Sequence, residues 1–326
     1  GGDAYVTITG GTVTAISNSF TGIGGGNAYQ GKGGDAYVTI TGGTVTAASL
    51  TTTGIGGGIS DDEEGYGDGS CTFRTDNGNA VIFASSIGDQ SGKTSGVWGG
   101  IILEGDSGAI YGSSAAPIEE FTIKDGVTLT IGATQTLTIP EGMTVTNEGT
   151  IDNGGKIYVD GTLNGTVSGS DEVYYHLTVV GGTAAPTNSY NGKTYAKAGI
   201  EITLTPTAPA GYEIVQWNVS GADVTVNGNK FTMPGKAITV TAQFGPCSYG
   251  IDYELNGGTI NSGNPTEYVY GVGATLADAT RENYLFEGWY TDAALTQPIT
   301  GIGTEQTGDL TLFAKWSLDP NHTHVY

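Results

Sequence analysis

Apolar and hydroxyl-bearing side chains alternate along most of this chain. In DAYVTITGGTVTA, residues 3–15, Val6 and Ile8 share one parity while Thr7 and Thr9 share the other, the two-residue period of a half-buried strand. Val13 and Ala15 resume the apolar parity after Gly10-Gly11, a turn signal. The same segment recurs unchanged at 35–47, and GIGGG at 22–26 recurs at 54–58, both displaced by 32 positions. A unit this short cannot bury its apolar edge alone, so tandem copies are expected to stack.

A second rhythm follows. Val127, Ala133, Ile139, Val145, Ile151, Ile157 and Leu163 fall six residues apart, and Leu129, Ile131, Leu137, Met143 and Val159 keep their parity. All are expected to point inward. Asp125-Gly126, Asn153-Gly154, Asp160-Gly161 and Asn164-Gly165 mark the corners between runs. This predicts an all-β chain whose first half is a parallel β-solenoid, the right-handed β-helix being the favoured form, with one continuous aliphatic interior. Coil length and hand stay open. VIFASSI and WGGIILEG, between residues 71 and 121, are assigned to the same solenoid.

The last third changes texture. GYEIVQW at 211–217 aligns with NYLFEGW at 283–289, and TAQF at 241–244 with FAKW at 313–316, each 72 positions on. The expected organisation is therefore a repeat region at 1–70, solenoid continuation at 71–170, modules at 173–245 and 249–316, and a tail at 317–326.

Composition narrows the partners. With 11 Lys+Arg against 33 Asp+Glu, the formal net charge is −22, which argues against nucleic acid and anionic membranes. The 57 glycines come with only 10 prolines and 37% apolar residues, so the chain is neither collagen-like nor disordered by composition. Cys71 and Cys247 lie in different expected domains, which disfavours a disulfide framework. No stretch approaches a membrane span, and the start at Gly1-Gly2-Asp3 reads as part of something longer.

The module at 249–316 resembles a Listeria-Bacteroides repeat, also called the internalin B B-repeat. The resemblance is carried by Asn256-Gly257-Gly258-Thr259, by Tyr284, Phe286 and Gly288-Trp289-Tyr290, and by the closing Phe313-Ala314-Lys315-Trp316. Residues 173–245 resemble the divergent form of that repeat through Gly211-Tyr212, Trp217, Phe231-Thr232-Met233-Pro234 and Val240–Phe244, with Gln216-Trp217-Asn218 in place of the Gly-Trp-Tyr triplet. The resemblance implies two small β-grasp-like modules, each with strands around one short helix. It further implies tandem use on secreted and surface-anchored bacterial proteins, many of them adhesins.

Candidate chemistry is sparse. Asp61, Asp62, Glu63, Glu64 and Asp68 crowd one segment with hard oxygens that could coordinate calcium, but the spacing is not that of an EF-hand loop and a solvated acidic loop is favoured. Trp217, Trp289, Tyr290 and Trp316 could stack on sugars, against the simpler expectation that rings at repeat-fixed positions fill small cores. Tyr268 and Tyr270 are expected to form an exposed pair, which with Trp289 and Tyr290 makes up the ligand-contact candidates. Asp76, Asp89, Glu104, Asp106, Glu119, Glu120 and Asp125 are scattered, and His176, His322 and His324 have no nucleophile beside them, so catalysis is not expected. No cofactor is called for. The sequence is read as an adhesin or stalk fragment, a rigid rod held outside the cell through other parts of its parent. Its partner would be a host or neighbouring-cell surface protein or glycan, and a glycan-binding or glycan-cleaving β-helix is the alternative.

Overall fold

The alternation produces strands throughout. The computed structural model is all-β and 54% strand, with no helix among the described residues. It describes residues 1–61, 66–75, 80–89, 91–96, 100–105, 107–111 and 119–321. Two compact units emerge, one of residues 1–178, 185–203 and 219–239, the other of 179–184, 204–218 and 240–326. The interval 173–245 thus contributes to both.

In the first unit, β1 (Ala4–Ile8), β2 (Thr12–Ser17) and β3 (Ile23–Gly24) make the first coil. The second is β4 (Ala36–Ile40), β5 (Gly43–Ser49) and β6 (Ile55–Gly56); the third is β7 (Cys71–Arg74), β8 (Ala80–Ala84) and β9 (Ile87–Gly88). They stack as three parallel ladders, β1-β4-β7, β2-β5-β8 and β3-β6-β9. Ala4 faces Ala36, Thr12 faces Thr44 and Ile23 faces Ile55, so the 32-residue repeat is the coil. The next step is longer, with Ala36 facing Cys71 and Gly43 facing Ala80.

The middle ladder continues through β10 (Gly100–Glu104) and β11 (Ser107–Tyr111), which pair antiparallel at a reversal where Gly105 takes φ +56°. A second set of parallel ladders follows: β12 (Glu120–Ile123), β15 (Thr144–Asn147) and β18 (Thr162–Asn164); β13 (Thr128–Ile131), β16 (Thr150–Asn153) and β19 (Ser168–Gly169); β14 (Thr136–Ile139), β17 (Lys156–Val159) and β20 (Val173–Val180). Leu129 faces Ile151, Leu137 faces Ile157 and Val145 faces Leu163. Glu120 faces Thr144 and Thr144 faces Thr162, so the turn of chain shortens along the stack, and the six-residue rhythm is one strand plus one corner only from β15 onward. These parallel stacks are compatible with a solenoid.

Two expectations need correction. Ala133 sits exposed in the turn between β13 and β14, so the six-residue series breaks there. The interior is also divided. One core holds Ile40, Val45, Ile55, Phe73, Ile82 and Ile102; the other holds Val81, Ile101, Leu103 and the aliphatic residues of β12–β18. Neighbouring residues of β8 and β10 enter opposite cores, so these strands are buried on both faces and wall one core from the other. The antiparallel β10–β11 join separates the parallel stacks on either side of it.

In the second unit, Ser248–Glu254 pairs parallel with Leu310–Leu318, which pairs antiparallel with Tyr284–Tyr290 across a register shift between Phe286 and Gly288. Asn256 (φ 47°) and Gly257 (φ 87°) supply the left-handed turn of the NGGT motif, and Asn256 Nδ2 donates to the Ala314 carbonyl at 2.7 Å. A Cβ on Gly258 would lie 2.3 Å from the Trp316 ring, which explains this glycine and this tryptophan together. The short helix implied by the family resemblance is absent among the described residues. In 276–279 the backbone of Ala277 is engaged by side chains instead: its N–H donates to Asn264 Oδ1, and its carbonyl accepts from Asn264 Nδ2 and Trp289 Nε1.

Candidate functional site

The ring candidates divide by burial. Tyr268 is only 2% exposed, and its hydroxyl donates to the Gly308 carbonyl at 2.5 Å. Burial, with the Asp309 charge behind it, pushes its phenol pKa up. Trp289 is equally buried, wedged edge-on against Tyr253 and Phe286 with centroids 5.0 and 5.3 Å away. The expected exposed Tyr268–Tyr270 pair is therefore not formed: Glu267–Val269 is a strand whose middle side chain enters the core. Trp316 donates to the Leu255 carbonyl at 2.9 Å from within the same core, and Trp217 is buried as well.

Tyr270 and Tyr290 remain accessible in part. Tyr290 lies beneath Lys315, whose Nζ is 5.0 Å from the ring centroid and donates to the phenol oxygen at 3.3 Å. Tyr270 meets Tyr212 in a T-shaped pair with centroids 5.4 Å apart. Its ring rests on Gly211, where a Cβ would come within 2.4 Å of it. Further along the strand Tyr212–Ser220, Gln216 Nε2 donates to Asn218 Oδ1 at 3.1 Å and to Gln243 Oε1 at 2.8 Å. Tyr212, Gln216 and Asn218 share one strand parity, so this exposed face combines phenols with uncharged amides. The parity was readable in the sequence, but nothing in it places Gln243 and Tyr270 beside that strand.

A second polar cluster lies in the first unit. Asp160, at the corner after β17, has 8% side-chain exposure. It accepts from Lys193 Nζ and from the Tyr195 hydroxyl, both at 2.8 Å, with His176 Nδ1 at 3.5 Å. Burial first, and the Asp160 carboxylate second, raise the Tyr195 pKa, so the phenol keeps its proton and serves as donor. The arrangement binds strand Lys193–Lys197 to the last coil.

The acidic segment gives little. Asp62, Glu63 and Glu64 lie outside the described residues, as do Asp76, Asp106, His322 and His324. Asp68 Oδ1 accepts the Ser60 N–H at 2.8 Å, and the Asp61 N–H donates to the Ala28 carbonyl. Among the described residues no three His, Cys, Asp or Glu side chains gather as metal ligands would. Asp89 bonds the amides of Ser91 and Lys93, and Glu104 bonds the amide of Ile87. Both are occupied in local backbone support.

Comparison with known proteins agrees with the modules. Residues 249–315 match the Listeria-Bacteroides repeat domain, and residues 175–247 match the Divergent InlB B-repeat domain. These repeat domains are typical of bacterial surface proteins. A protein described as "Putative Gly-rich membrane protein", from Evansella cellulosilytica, is 30% identical over 112 residues, which is 33% of this chain and 13% of that protein. No helix among the described residues is long and apolar enough to cross a membrane.

Proposed function

We propose that this chain is a non-catalytic part of a bacterial surface protein, in which stacked β-coils act as a structural spacer and the B-repeat modules face a ligand outside the cell. The observation that carries this reading is the joining, in one chain, of in-register parallel coils to two B-repeat modules. Coils lengthen a protein without a new core for each addition, and repeated modules give weak contacts avidity. The ligand is a host or neighbouring-cell surface protein or glycan. The test is saturable retention of the purified chain on matrix proteins and on polysaccharide arrays, with turnover followed in parallel; release of sugar products would overturn the non-catalytic reading, and no retention on any surface would leave only the spacer role.

A glycan ligand is the second reading, favoured by the face that holds Tyr212, Tyr270, Gln216, Asn218 and Gln243. If it is right, Tyr270→Ala weakens polysaccharide retention while Trp289→Ala disrupts the fold. On its sequence alone the acidic segment at 61–68 is read as a solvated loop, with calcium binding as the alternative. A thermal midpoint that rises in millimolar calcium would reverse that statement.

A further inference from the structure

We infer that the outward edge of the first coil, formed by β1, β2 and β3, is a seat for another coil of the same 32-residue unit, stacked in the same direction. The inference is independent of what the B-repeats bind. Its starting point is the interface already present between the first two coils. Residues 35–47 repeat residues 3–15 without change, and the second coil carries the first in register, Ala4 on Ala36 and Val13 on Val45. Over residues 3–15 and 22–26 the edge that receives the first coil is thus copied, residue for residue, at the first coil's own outward side.

Burial shows what is missing there. Val38 is 1% exposed and Val45 and Ala47 are fully buried, whereas their counterparts Val6, Val13 and Ala15 are half-buried. Tyr5, stacked on Tyr37 at 4.8 Å, stays 77% exposed. No charged residue or proline lies within β1 or β2 to blunt the edge.

The glycines fix the direction and spacing of the occupant. Backbone N–H groups run along the stack from Gly34 to the Gly26 carbonyl, from Gly58 to Gly34 and from Gly69 to Gly58, at 2.8–2.9 Å. A Cβ on Gly34 would lie 2.0 Å from the Gly2 carbonyl oxygen, and one on Gly43 would lie 2.3 Å from that of Gly11. Gly2 and Gly11 hold the same places one coil earlier, yet a Cβ on either meets nothing within 4 Å. Gly11 is already required by its φ of +78°, but at Gly2, which has no such φ, the missing side chain serves no contact in the first coil and matches the approach of another. Asp3 follows the same logic: its Oδ1 accepts the Asp35 N–H at 2.9 Å, as Asp35 accepts the Ser70 N–H at 2.8 Å, so an incoming unit brings an aspartate that reaches the amide of Asp3. A head-to-head pairing of two chains would run antiparallel and match neither the glycine column nor this bracket.

The experiment fuses one further copy of residues 1–32 ahead of Gly1 and compares amide exchange in Ala4–Ile8 and Thr12–Ser17 with that in the chain alone. Docking slows exchange there by about tenfold or more. Gly2→Ala supplies the second arm. It leaves the unextended chain's exchange and thermal midpoint unchanged, because its methyl enters open space, and it removes the gain in the extended chain. Equal exchange with and without the added unit overturns the inference. So does a full gain that survives Gly2→Ala, or a dimer of the unextended chain in light scattering that the added unit fails to dissolve.

Discussion

A methyl group on Gly58 would lie 2.2 Å from the carbonyl oxygen of Gly26, and both atoms belong to backbones held by the glycine column. Neither can swing aside as a flexible side chain would. Gly58→Ala is therefore expected to cost the first stack roughly 1–3 kcal/mol, the range for overpacking a tight interior, while Gly10→Ala, which meets open space, costs little. Equal denaturant midpoints for the two variants would mean that the coils stand farther apart than described. Asp35 adds a pH dependence at the same scale. Lys32 Nζ at 2.9 Å and the Ser70 N–H at 2.8 Å hold its pKa down to about 2, against an ordinary 3.8. A carboxylate depressed in the folded state contributes stability that is complete above its unfolded pKa and lost as pH falls through the folded value, here between about pH 4 and pH 2. Partial exposure of both partners keeps the contribution small. Asp35→Asn should flatten that part of the acid-unfolding curve relative to the parent, and an unaltered acid limb would show that the pair carries no stability.

At the level of strands, the six-residue rhythm makes a prediction sharper than its own regularity. Ile151, fully buried between Leu129 and the rest of its core, and Ala133, exposed in a turn, hold equivalent places in that series. Ile151→Ala should cost about 2–5 kcal/mol in chemical denaturation, and Ala133→Ser should stay within about 0.5 kcal/mol; comparable losses would restore Ala133 to the interior. The contrast marks how far pattern reads into structure. Parity identified the strands, because a half-buried strand must alternate; the coil length stayed open in the sequence, and it is the in-register pairing of the identical segments that makes the 32-residue offset one coil. The division of the interior was hidden, since VIFA and IILE are apolar on both parities and fit either face of a sheet. The Tyr212–Tyr270 contact and the Asp160 cluster join positions far apart in sequence, and no local period encodes them. Tyr268 misled for a related reason: Tyr-Val-Tyr alternation fixes which residues share a face without saying which face is buried.

For the molecule as a whole, charge is the term no local pattern offsets. Even if each of the 11 Lys and Arg found an acidic partner, the −22 excess would remain unpaired. The described ion pairs engage Lys32, Lys193, Lys197 and Lys230, mostly at partly exposed positions where each is weak. Salt therefore screens more repulsion than attraction. The screening length falls from about 30 Å at 0.01 M to about 8 Å at 0.15 M, which removes coupling between carboxylates on separate coils and modules while leaving 3 Å contacts in place. The thermal midpoint should rise between those ionic strengths, with most of the gain below about 0.1 M, and neutral osmolytes at matched osmolality should not reproduce this early saturation. A midpoint that falls on adding salt would mean that the few lysine pairs outweigh the acidic field. The same field sets a limit on partners: retention on a neutral glycan or an uncharged protein face should change little with salt, whereas any binding to a polycation should collapse as salt is added and would mark nonspecific attraction to the acidic exterior.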